Sequence, residues 1–572
     1  MDKIQAKKLI KNTFENSFDK EKYTYLIKNI LNNFEDTPET FYKGKYIPDA
    51  FKEYISTLDR IGKYEDPNGK KIDILIVKLK KSSSLERART MQRNFVAWYL
   101  KGSRGGVFKD AALVAYISPE PADWRFSFVK MEYTLDRTPS GKLKGKEEFT
   151  PAKRYSFLVG ENENSHTAQS QLFSFLVDED KPLLEEIEDS FGIEKVTKEF
   201  FKKYRELFLN LKESLEKIVE EDKRLKQEFT KKNVSLTDFA KKTLGQIVFL
   251  YFLQKKGWFG VERKDEWGTG PKNFLRLLFE KKIADYNNFF NDILEPLFYN
   301  TLAVERPYDY SDRFDCKIPF LNGGLFDPLN EYDWVHTEIL IPHEIFSNSF
   351  KTKEGDIGTG ILDVFDRYNF TVKEDEPLEK EVAVDPEMLG KVFENLLEVK
   401  DRKSKGSYYT PREIVHYMCQ ESLINYLDTE MGQEMPKEDI ETLIRFGELT
   451  VENDTRVEQN GKETEIYSYK LPELVRENAE DIDKKLSNIK VCDPAVGSGA
   501  FLVGIMNEIV RARNSLTPYL SEGDRTVYDF KRQCIHNCLY GVDIDPGAVE
   551  IAKLRLWLSL IVEEKEFKTI QP

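Results

Sequence analysis

The spacing of hydrophobic and polar positions changes along the chain, and residues 1–178 combine two patterns. The stretches KKIDILIVKLKK (70–81) and DAALVAYISP (110–119) are rich in strand-forming residues, whereas SLERARTMQRNFVAWYLK (84–101) repeats apolar residues at helical spacing. Strands that alternate with helices build layered domains of both element types. We therefore predict an α/β domain over residues 1–178.

From 179 to 400 the pattern is mostly helical. The stretches FFKKYRELFLNLKESLEKIVEED and LTDFAKKTLGQIVFLYFLQKKG carry apolar residues three and four positions apart, and the second ends at a glycine. This pattern predicts a helical connector domain, interrupted by a turn at IPFLNGGLFDP (318–328). Further on, TVENDTRVEQNGKETEIYSY (450–469) is polar and contains Asn-Gly, which predicts a surface hairpin or excursion.

Length and composition restrict the class of protein. At 572 residues the chain predicts three or four domains, and it has no apolar run near the roughly 18 residues that a spanning helix needs. The start MDKIQAKKLIKNTFENS lacks the apolar centre of a signal peptide, so we expect a cytoplasmic protein with reduced cysteines and no membrane partner. The formal net charge of −14 gives no overall positive field for nucleic acid, although a local basic groove remains compatible with it.

The stretch VCDPAVGSGAFLVGIMNEIV (491–510) predicts a strand, a glycine turn and a helix. This unit forms the first half of a nucleotide-type site, in which the ligand lies over the carboxyl end of the strand. A dinucleotide fingerprint would need a third glycine where Leu502 stands, and a phosphate-binding loop would need a lysine after Gly499. Neither a nicotinamide dinucleotide nor a phosphate is therefore the predicted ligand.

The stretch CLYGVDIDPGAVEIAKLRLWLSLIV (538–562) predicts a second strand with an acidic end, followed by a helix that begins at Pro546. A carboxylate at the end of such a strand can accept hydrogen bonds from both hydroxyls of a ribose, and Asp543 is the candidate. We expect the strands that end near Asp493 and Asp543 to be parallel neighbours that face one ligand.

At three of its motifs the sequence resembles the gamma-ordered DNA adenine-N6 methyltransferases that use S-adenosylmethionine, in particular the fused type IIG restriction and modification enzymes. The motifs are GSYYTPREIVHYM (406–418), DPAVGSGAFL (493–502) and YGVDIDPGAVEIAKLRL (540–556), and the resemblance covers about residues 300–562. It implies a multi-domain α/β protein in which residues 401–572 form the amino-terminal half of a Rossmann-like class I methyltransferase domain.

The resemblance also implies roles for single residues. Thr410 would bind the carboxylate of the cofactor's methionine part, Asp493 its ammonium, Asp543 the ribose hydroxyls, and Ile544 would pack on the adenine. The glycines of the turn would let the cofactor lie against the backbone. The full cofactor-binding set implied is Tyr409, Thr410, Pro411, Asp493, Pro494, Ala495, Gly497, Gly499, Asp543 and Ile544.

The chain departs from this family in one motif. Adenine-N6 enzymes share an Asn-Pro-Pro-aromatic tetrapeptide that binds the flipped target base, and the sequence contains none before its last residue, Pro572. The catalytic residues of methylation are therefore unknown. We expect a fragment, a truncated product or one part of a split enzyme, which needs a missing carboxyl-terminal region or a second polypeptide with the target recognition domain.

In the fused enzymes the amino-terminal position often holds a PD-(D/E)xK nuclease that uses Mg²⁺. Asp73, Lys78 and Lys80 are the candidates here, but the residues two positions before the lysines are Ile76 and Lys78, neither of them acidic. A second carboxylate could come from elsewhere, with four candidates: Glu65, Asp66, Glu86 and Glu132. The other interpretation is a nuclease-like or unrelated α/β domain that serves DNA contact or packing.

A basic cluster near these candidates could contact DNA phosphates, or it could form a solvated helix face. Its residues are Lys80, Lys81, Arg87, Arg89 and Arg93. For the intact enzyme we expect methyl transfer to the N6 of adenine in a specific site of double-stranded DNA, together with DNA cleavage if the nuclease is active. One alternative is a non-catalytic DNA-binding or scaffold portion, and another is methylation of protein glutamine or RNA.

Overall fold

The structure is a computed structural model. It describes residues 1–43, 46–48, 51–80, 85, 89–102, 107–119, 122–131, 135–137, 143–145, 152–321, 324–352, 355–374, 378–388, 390–391, 410–432, 435–460, 471–520 and 525–563.

A seven-stranded mixed sheet forms the centre of the amino-terminal part, in the order β1-β2-β3-β4-β5-β8-β11. The pairs β3–β4 and β8–β11 are parallel and the other pairs are antiparallel. The strands are β1 Glu35–Lys43, β2 Ile55–Glu65, β3 Lys71–Leu79, β4 Ala111–Ile117, β5 Asp123–Met131, β8 Ala152–Gly160 and β11 Glu379–Glu381, and the hairpin β6 Leu135–Arg137 with β7 Leu143–Gly145 lies apart from them.

Helices cover both faces of this sheet. Leu75 and Val77 of β3 face α3 (Arg89–Leu100), whereas Ile74 and Ile76 point to the other face, against α1 (Lys3–Phe14) and α2 (Lys20–Ile30). Since alternate side chains of a strand point to opposite faces, a strand buried on both sides is an almost continuous hydrophobic run. The α/β class and the strands predicted at 70–81 and 110–119 are confirmed.

Strand β11 lies within the region predicted as a helical connector. It pairs in parallel with β8, where Glu379 lies opposite Arg154. The sequence Glu-Lys-Glu has no strand pattern, but both glutamates are buried against arginines of the sheet and of α3. The chain therefore returns to the amino-terminal sheet before it enters the last part.

Helices are the main regular elements of the connector, but they make up only about half of its described residues, and three short strands lie among these residues. Its helices share one hydrophobic core with one face of the sheet. At the predicted turn, Gly324 has a φ of +77° and Gly323 lies outside the described residues. The next elements along the chain after β8 are α4 His166–Val177, α5 Leu184–Asp189, α6 Ile193–Glu221, α7 Lys223–Lys231, α8 Leu236–Gln254, α9 Phe274–Phe279, two π-helical segments Phe290–Leu294 and Pro296–Leu302, β9 Tyr310–Ser311, β10 Cys316–Lys317, α10 His343–Phe346 and α11 Ile361–Phe365.

The last part combines two short parallel strands with seven helices among its described residues. The strands are β12 Val491–Asp493 and β13 Leu539–Gly541, and the helices are α12 Arg412–Met431, α13 Lys437–Asn460, α14 Glu473–Glu477, α15 Ala479–Asn488, α16 Ala500–Leu516, α17 Val527–Asn537 and α18 Pro546–Glu563. The surface hairpin predicted at 450–469 is wrong for residues 450–460, which continue α13, and the remainder lies outside the described residues.

Two absences hold for the described ranges. No helix in them is both long and apolar enough to span a membrane. The five cysteines all lie within these ranges and form no disulfide.

Candidate functional site

The ends of β12 and β13 bring two aspartates into one site. The strands are parallel, with Asp493 opposite Gly541, and both loops leave from the same edge. Val542 donates its backbone N–H to the carbonyl of Asp493 at 2.9 Å, and Val496 donates to the carbonyl of Val542 at 2.9 Å. The two loops therefore run side by side, and the spatial arrangement predicted for the acidic strand ends is present.

Asp543 holds the glycine turn through its carboxylate. Gly497 donates its N–H to Oδ2 at 2.9 Å, and Asp545 donates its N–H to Oδ1 at 2.9 Å. A carboxylate offers about four lone-pair sites, so these two donors leave about two for further partners. The side chain is only partly buried, and the remaining sites can accept hydroxyl groups of a ligand.

Asp493 has one carboxylate oxygen without a donor. Oδ1 accepts the N–H of Ala495 at 3.0 Å, whereas Oδ2 is buried and has no hydrogen-bond partner among the described residues. Buried polar atoms in folded proteins nearly always have a partner, so an unsatisfied carboxylate oxygen needs an explanation. An ammonium group from a ligand would match its charge.

The turn between the strand and α16 needs glycine for steric reasons. Gly497 and Gly499 have φ values of +49° and +83°, in the left-handed region that other residues rarely adopt. A Cβ atom at Gly499 would also lie 2.9 Å from the Cβ of Ala552 in α18. The absence of a side chain at Gly499 therefore lets the turn lie close to α18.

Thr410 and Pro411 lie at the start of α12, which packs along α16. A Cβ atom at Gly504 of α16 would lie 2.7 Å from Cγ1 of Val415, so the two helices are in close contact. Thr410 and Ala500, the residue after the glycine turn, line the same crevice of about 50 Å³. This volume holds about two water molecules. Tyr409 lies outside the described residues.

Ile544 extends from the end of β13 into solvent. Its side chain is 78% exposed, and the neighbouring Val542 is 60% exposed. Exposed apolar residues of this size beside an acidic strand end provide a flat surface against which an aromatic ring can pack. Pro494 and Ala495 lie in the adjoining loop, so every described residue of the implied set is at this edge or at the start of α12.

Glu508 of α16 is a residue that the sequence analysis did not single out. It is buried, and its carboxylate accepts from His416 at 2.6 Å, from Gln420 at 3.1 Å and from Arg511 at 3.3 Å. This network joins α12 to α16 next to the crevice that Thr410 lines. The available signal was an acidic residue on an otherwise apolar helix face, since the histidine that it contacts lies 92 positions earlier on α12.

The nuclease candidates do not come together. Lys78 and Lys80 follow Asp73 by five and seven residues along β3 and its continuation, which is about 16 and 23 Å at 3.3 Å per residue. Their side chains point to the face opposite Asp73, and Lys80 donates to the carbonyl of Lys52. In the described ranges no group of three His, Cys, Asp or Glu residues could hold a metal ion. The predicted grouping is therefore wrong.

Of the four alternative carboxylates, the two that the structure describes do not complete a metal site with Asp73. Glu65 lines the same cavity as Asp73 but is exposed at the end of β2. Asp66 accepts backbone N–H groups from Asn68, Lys70 and Leu184, which is a turn-stabilising role. Glu86 and Glu132 lie outside the described residues.

The predicted basic cluster is not an exposed patch in the described part of the chain. Arg89 pairs with Glu381 at 2.6 Å and Arg93 with Glu379 at 3.4 Å, and both guanidinium groups are buried. Lys80 is exposed, while Lys81 and Arg87 lie outside the described residues. This placement does not support phosphate contact by Arg89 and Arg93.

Comparisons with known proteins add the family context. Residues 472–571 match the family model described as MmeI, DNA-methyltransferase domain. A protein of Methanocaldococcus jannaschii, named as a predicted type II restriction enzyme and methyltransferase, is 32% identical over 401 residues, which is 64% of this chain and 30% of that protein. The chain thus spans less than a third of the length of this relative.

A solved structure of the type IIL restriction-modification enzyme MmeI in complex with DNA also matches. It covers 63% of this chain and 36% of that chain, at 16% identity and a TM-score of 0.30. By sequence, the chain is therefore similar to a predicted type II restriction enzyme and methyltransferase, and residues 472–571 are similar to the DNA-methyltransferase domain of the MmeI family model.

Proposed function

We propose that the edge formed by β12 and β13 binds S-adenosylmethionine and that the chain is part of a restriction and modification enzyme that methylates DNA at the N6 of adenine. The observation that carries this proposal is the pair of carboxylates at the ends of two parallel strands. Asp493 has an unsatisfied buried oxygen, and Asp543 has lone pairs left after it binds the turn. The match of residues 472–571 to a DNA-methyltransferase domain supports the assignment.

The chemistry of the residues fits the parts of this cofactor. Asp493 would accept hydrogen bonds from the methionine ammonium, and Asp543 would accept them from the ribose hydroxyls. Ile544 would pack against the adenine ring, and Thr410 would donate its hydroxyl to the methionine carboxylate. Pro494, Ala495 and the glycines would form the backbone surface along the cofactor. When bound, the cofactor would supply a methyl group on a sulfonium, and the protein contributes orientation and electrostatics.

Adenine as the target base belongs to the proposal for the whole enzyme. No Asn-Pro-Pro-aromatic tetrapeptide occurs in the 572 residues, and that element binds the flipped base in the resembling family. We therefore expect this chain to bind the cofactor and to transfer no methyl group to DNA unless a segment or partner with that tetrapeptide is supplied. Double-stranded DNA is the proposed substrate of the complete enzyme.

Endonuclease activity with Mg²⁺ is not part of this proposal. The candidate lysines point away from Asp73, and the described residues contain no group of three potential metal ligands. We infer that the amino-terminal domain has a different role.

Titration calorimetry with S-adenosylmethionine tests the cofactor site. Hydrogen bonds to charged groups contribute about 1.5–3 kcal/mol each, so loss of the ribose carboxylate in Asp543→Ala should weaken binding by about a hundredfold or more. Asp543→Asn retains one acceptor for the Gly497 N–H, so its cofactor affinity should lie between those of the wild type and Asp543→Ala. Asp493→Asn should also weaken binding, because the ammonium loses its counter-charge.

Asp481→Asn is the matched control, because Asp481 is an exposed aspartate on α15, away from both strands. It should bind the cofactor as the wild type does. Equal heats from wild type and Asp543→Ala, with unchanged circular dichroism, would remove Asp543 from the site and end the proposal.

A further inference from the structure

A large cavity opens beside Asp73 in the amino-terminal domain. Its volume is about 840 Å³, and it lies between β1, β2, the beginning of β3, the end of α3 and the segment before β4. Ligand pockets in proteins usually measure about 300–1,000 Å³, so this cavity can hold a ligand of nucleotide size. It is formed by residues other than those of the strand-end site described above.

Positive charges outnumber negative charges on its wall. The carboxylates on the wall are Glu35, Glu65 and Asp73, and the cations are Arg60, Lys63, Lys71, Lys109 and Lys181. Five cations against three carboxylates leave a formal charge of +2. In a chain with a net charge of −14 this is a local reversal of sign. An anion is therefore the ligand that this field favours.

Strand pairing places these cations around Asp73. Lys63 of β2 lies directly opposite Asp73 in the register of β2 and β3. A register shift, or β-bulge, lies between Arg60 and Gly62 of the same strand pair. Arg60 is only 8% exposed, donates to the carbonyl of Thr37 at 3.2 Å and pairs with Glu39 at 3.2 Å. The site thus has a buried guanidinium and an exposed ammonium on one strand, at the mouth of one cavity.

The carboxylate of Asp73 contacts a tyrosine hydroxyl and lies near a lysine ammonium. Its Oδ2 accepts the hydroxyl of Tyr99 at 2.5 Å and lies 3.9 Å from Nζ of Lys109, which itself lies 4.5 Å from the centre of the Tyr99 ring. Burial raises the pKa of Asp73, and this effect is partly offset by the hydrogen bond of Tyr99 and by the charges of Lys109, Arg60 and Lys63. Asp73 therefore lies among a hydroxyl donor and cations instead of beside a second carboxylate.

Lys109 is held near other positive charges. Burial lowers its pKa, Asp73 raises it, and the neighbouring charges of Arg60 and Lys63 lower it further. Mutual repulsion of these cations is relieved when an anion with two or more charges enters the space between them. A divalent metal ion would add to the repulsion and would meet few carboxylate oxygens.

Aromatic side chains complete the wall. Phe34, Tyr42, Tyr64, Tyr99 and Phe108 all line the cavity. Phe108 is partly exposed, whereas the other four side chains are at most 7% exposed. Nucleobases stack on aromatic side chains, whereas inorganic anions gain nothing from such a surface. The combination of cations and aromatic rings is typical of sites for a phosphate that carries a base.

We propose that this cavity binds the phosphate group of a nucleotide, with its base against the aromatic wall, and that binding needs no divalent metal. Two sources share this chemistry: a free nucleoside monophosphate and the 5′-phosphorylated end of a DNA strand. The site would occupy the place where the resembling family carries a nuclease, but with the charge of its wall reversed.

Titration calorimetry of the full chain in EDTA tests this proposal. The probes are deoxyadenosine 5′-monophosphate, deoxyadenosine, inorganic phosphate, and a short single-stranded oligonucleotide with and without a 5′-phosphate. The monophosphate should bind at least tenfold more tightly than deoxyadenosine or phosphate alone. Preference for the phosphorylated oligonucleotide over the monophosphate would identify a strand end as the ligand, and the reverse would identify a free nucleotide.

Charge variants separate an anion site from a metal site. Asp73→Asn keeps the acceptor for Tyr99 but removes a negative charge, so an anion should bind about tenfold more tightly. Lys63→Gln, at an exposed position, should weaken binding about tenfold. Lys78→Gln, an exposed lysine of the same sheet on the opposite face, is the control and should change nothing.

Three results would overturn the proposal: no binding of the monophosphate in EDTA, weaker binding in Asp73→Asn, or equal binding in wild type and Lys63→Gln. Heats with MgCl₂ alone that disappear in Asp73→Asn would assign the cavity to a metal instead. The Asp543→Ala variant should bind the nucleotide as the wild type does, so failure here is independent of the cofactor proposal.

Discussion

Asp483 of α15 holds together the helices around the strand-end site. Among the residues of these helices, its replacement by a neutral residue should lower the free energy of unfolding most. Its carboxylate accepts from two arginines: Arg513 at 2.9 and 3.3 Å, and Arg525 at 2.6 and 3.1 Å. Both guanidinium groups also stack on the ring of Phe530 at 4.5 and 4.8 Å. The cluster joins α15, α16 and α17, which pack around β12 and β13.

The magnitude follows from burial. All three charged side chains are at most 12% exposed, so Asp483→Asn leaves two buried cations without their counter-charge. Loss of one partner from a buried ion pair costs about 3–5 kcal/mol, and we expect about 3 kcal/mol because Asn retains one acceptor oxygen. For a unit of 150–250 residues this corresponds to a fall in Tm of about 6–12 °C.

The acid dependence gives a second readout. Burial raises the pKa of Asp483, but the hydrogen bonds and charges of Arg525 and Arg513 outweigh it, so the pKa is lowered overall. A lowered pKa in the folded state contributes stability at neutral pH that is lost as the pH falls below about 4. The difference in Tm between wild type and Asp483→Asn should therefore shrink in acid.

Thermal unfolding followed by circular dichroism at pH 7 and pH 3.5 measures both effects. Asp481→Asn, two residues earlier on the exposed side of the same helix, should melt within about 1 °C of the wild type, because exposed pairs contribute little. If both variants melt at the same temperature, the argument that this carboxylate ties the three helices together is refuted.

Two other substitutions test the turn and the connector. Gly499→Ala should weaken cofactor affinity at least tenfold and lower the free energy of unfolding by about 1–2 kcal/mol. The reason is that Gly499 has a φ of +83° and the new Cβ would lie 2.9 Å from the Cβ of Ala552. Titration calorimetry measures the first effect and thermal unfolding the second. Burial raises the pKa of Glu295 well above its usual range, so the folded state holds a proton that the unfolded state releases above about pH 4.5. As the pH rises above this value, the free energy of unfolding of the wild type should fall relative to that of Glu295→Gln, by up to about 1.4 kcal/mol per pH unit. A difference between the two proteins that is the same at pH 5 and pH 8 would contradict this.

Local patterns predicted the geometry of the two strand ends well because that geometry is local. The strand, turn and helix of residues 491–510 follow from apolar periodicity and two glycines, and β13 with Asp543 repeats the pattern. Both strands are parallel neighbours because the helix between such strands returns the chain to the same edge. The unsatisfied Oδ2 of Asp493 could not be predicted, because it depends on which atoms surround it.

The basic stretch RARTMQR shows where sequence reasoning fails. Arg89 and Arg93 have the spacing of a solvated helix face, yet they are buried against Glu381 and Glu379. Arg89 and Glu381 are 292 positions apart, so no local pattern links them. The same pairing explains why Glu-Lys-Glu forms β11: the arginines provide the counter-charges that a buried glutamate needs.

The helix that follows Asp543 connects the strand-end site to the helical connector. Arg555 of α18 donates to the carbonyl of Ser498 in the glycine turn at 2.9 Å and pairs with Glu374, which precedes β11, at 2.6 Å. Two residues later, Trp557 packs on Phe249 of the connector at 5.4 Å between ring centres. Because Arg555 is buried and bound on both sides, the glycine turn cannot shift without moving this helix or breaking the pair. The geometry at the strand ends therefore depends on the connector, which acts as structural support for this site and not merely as a spacer.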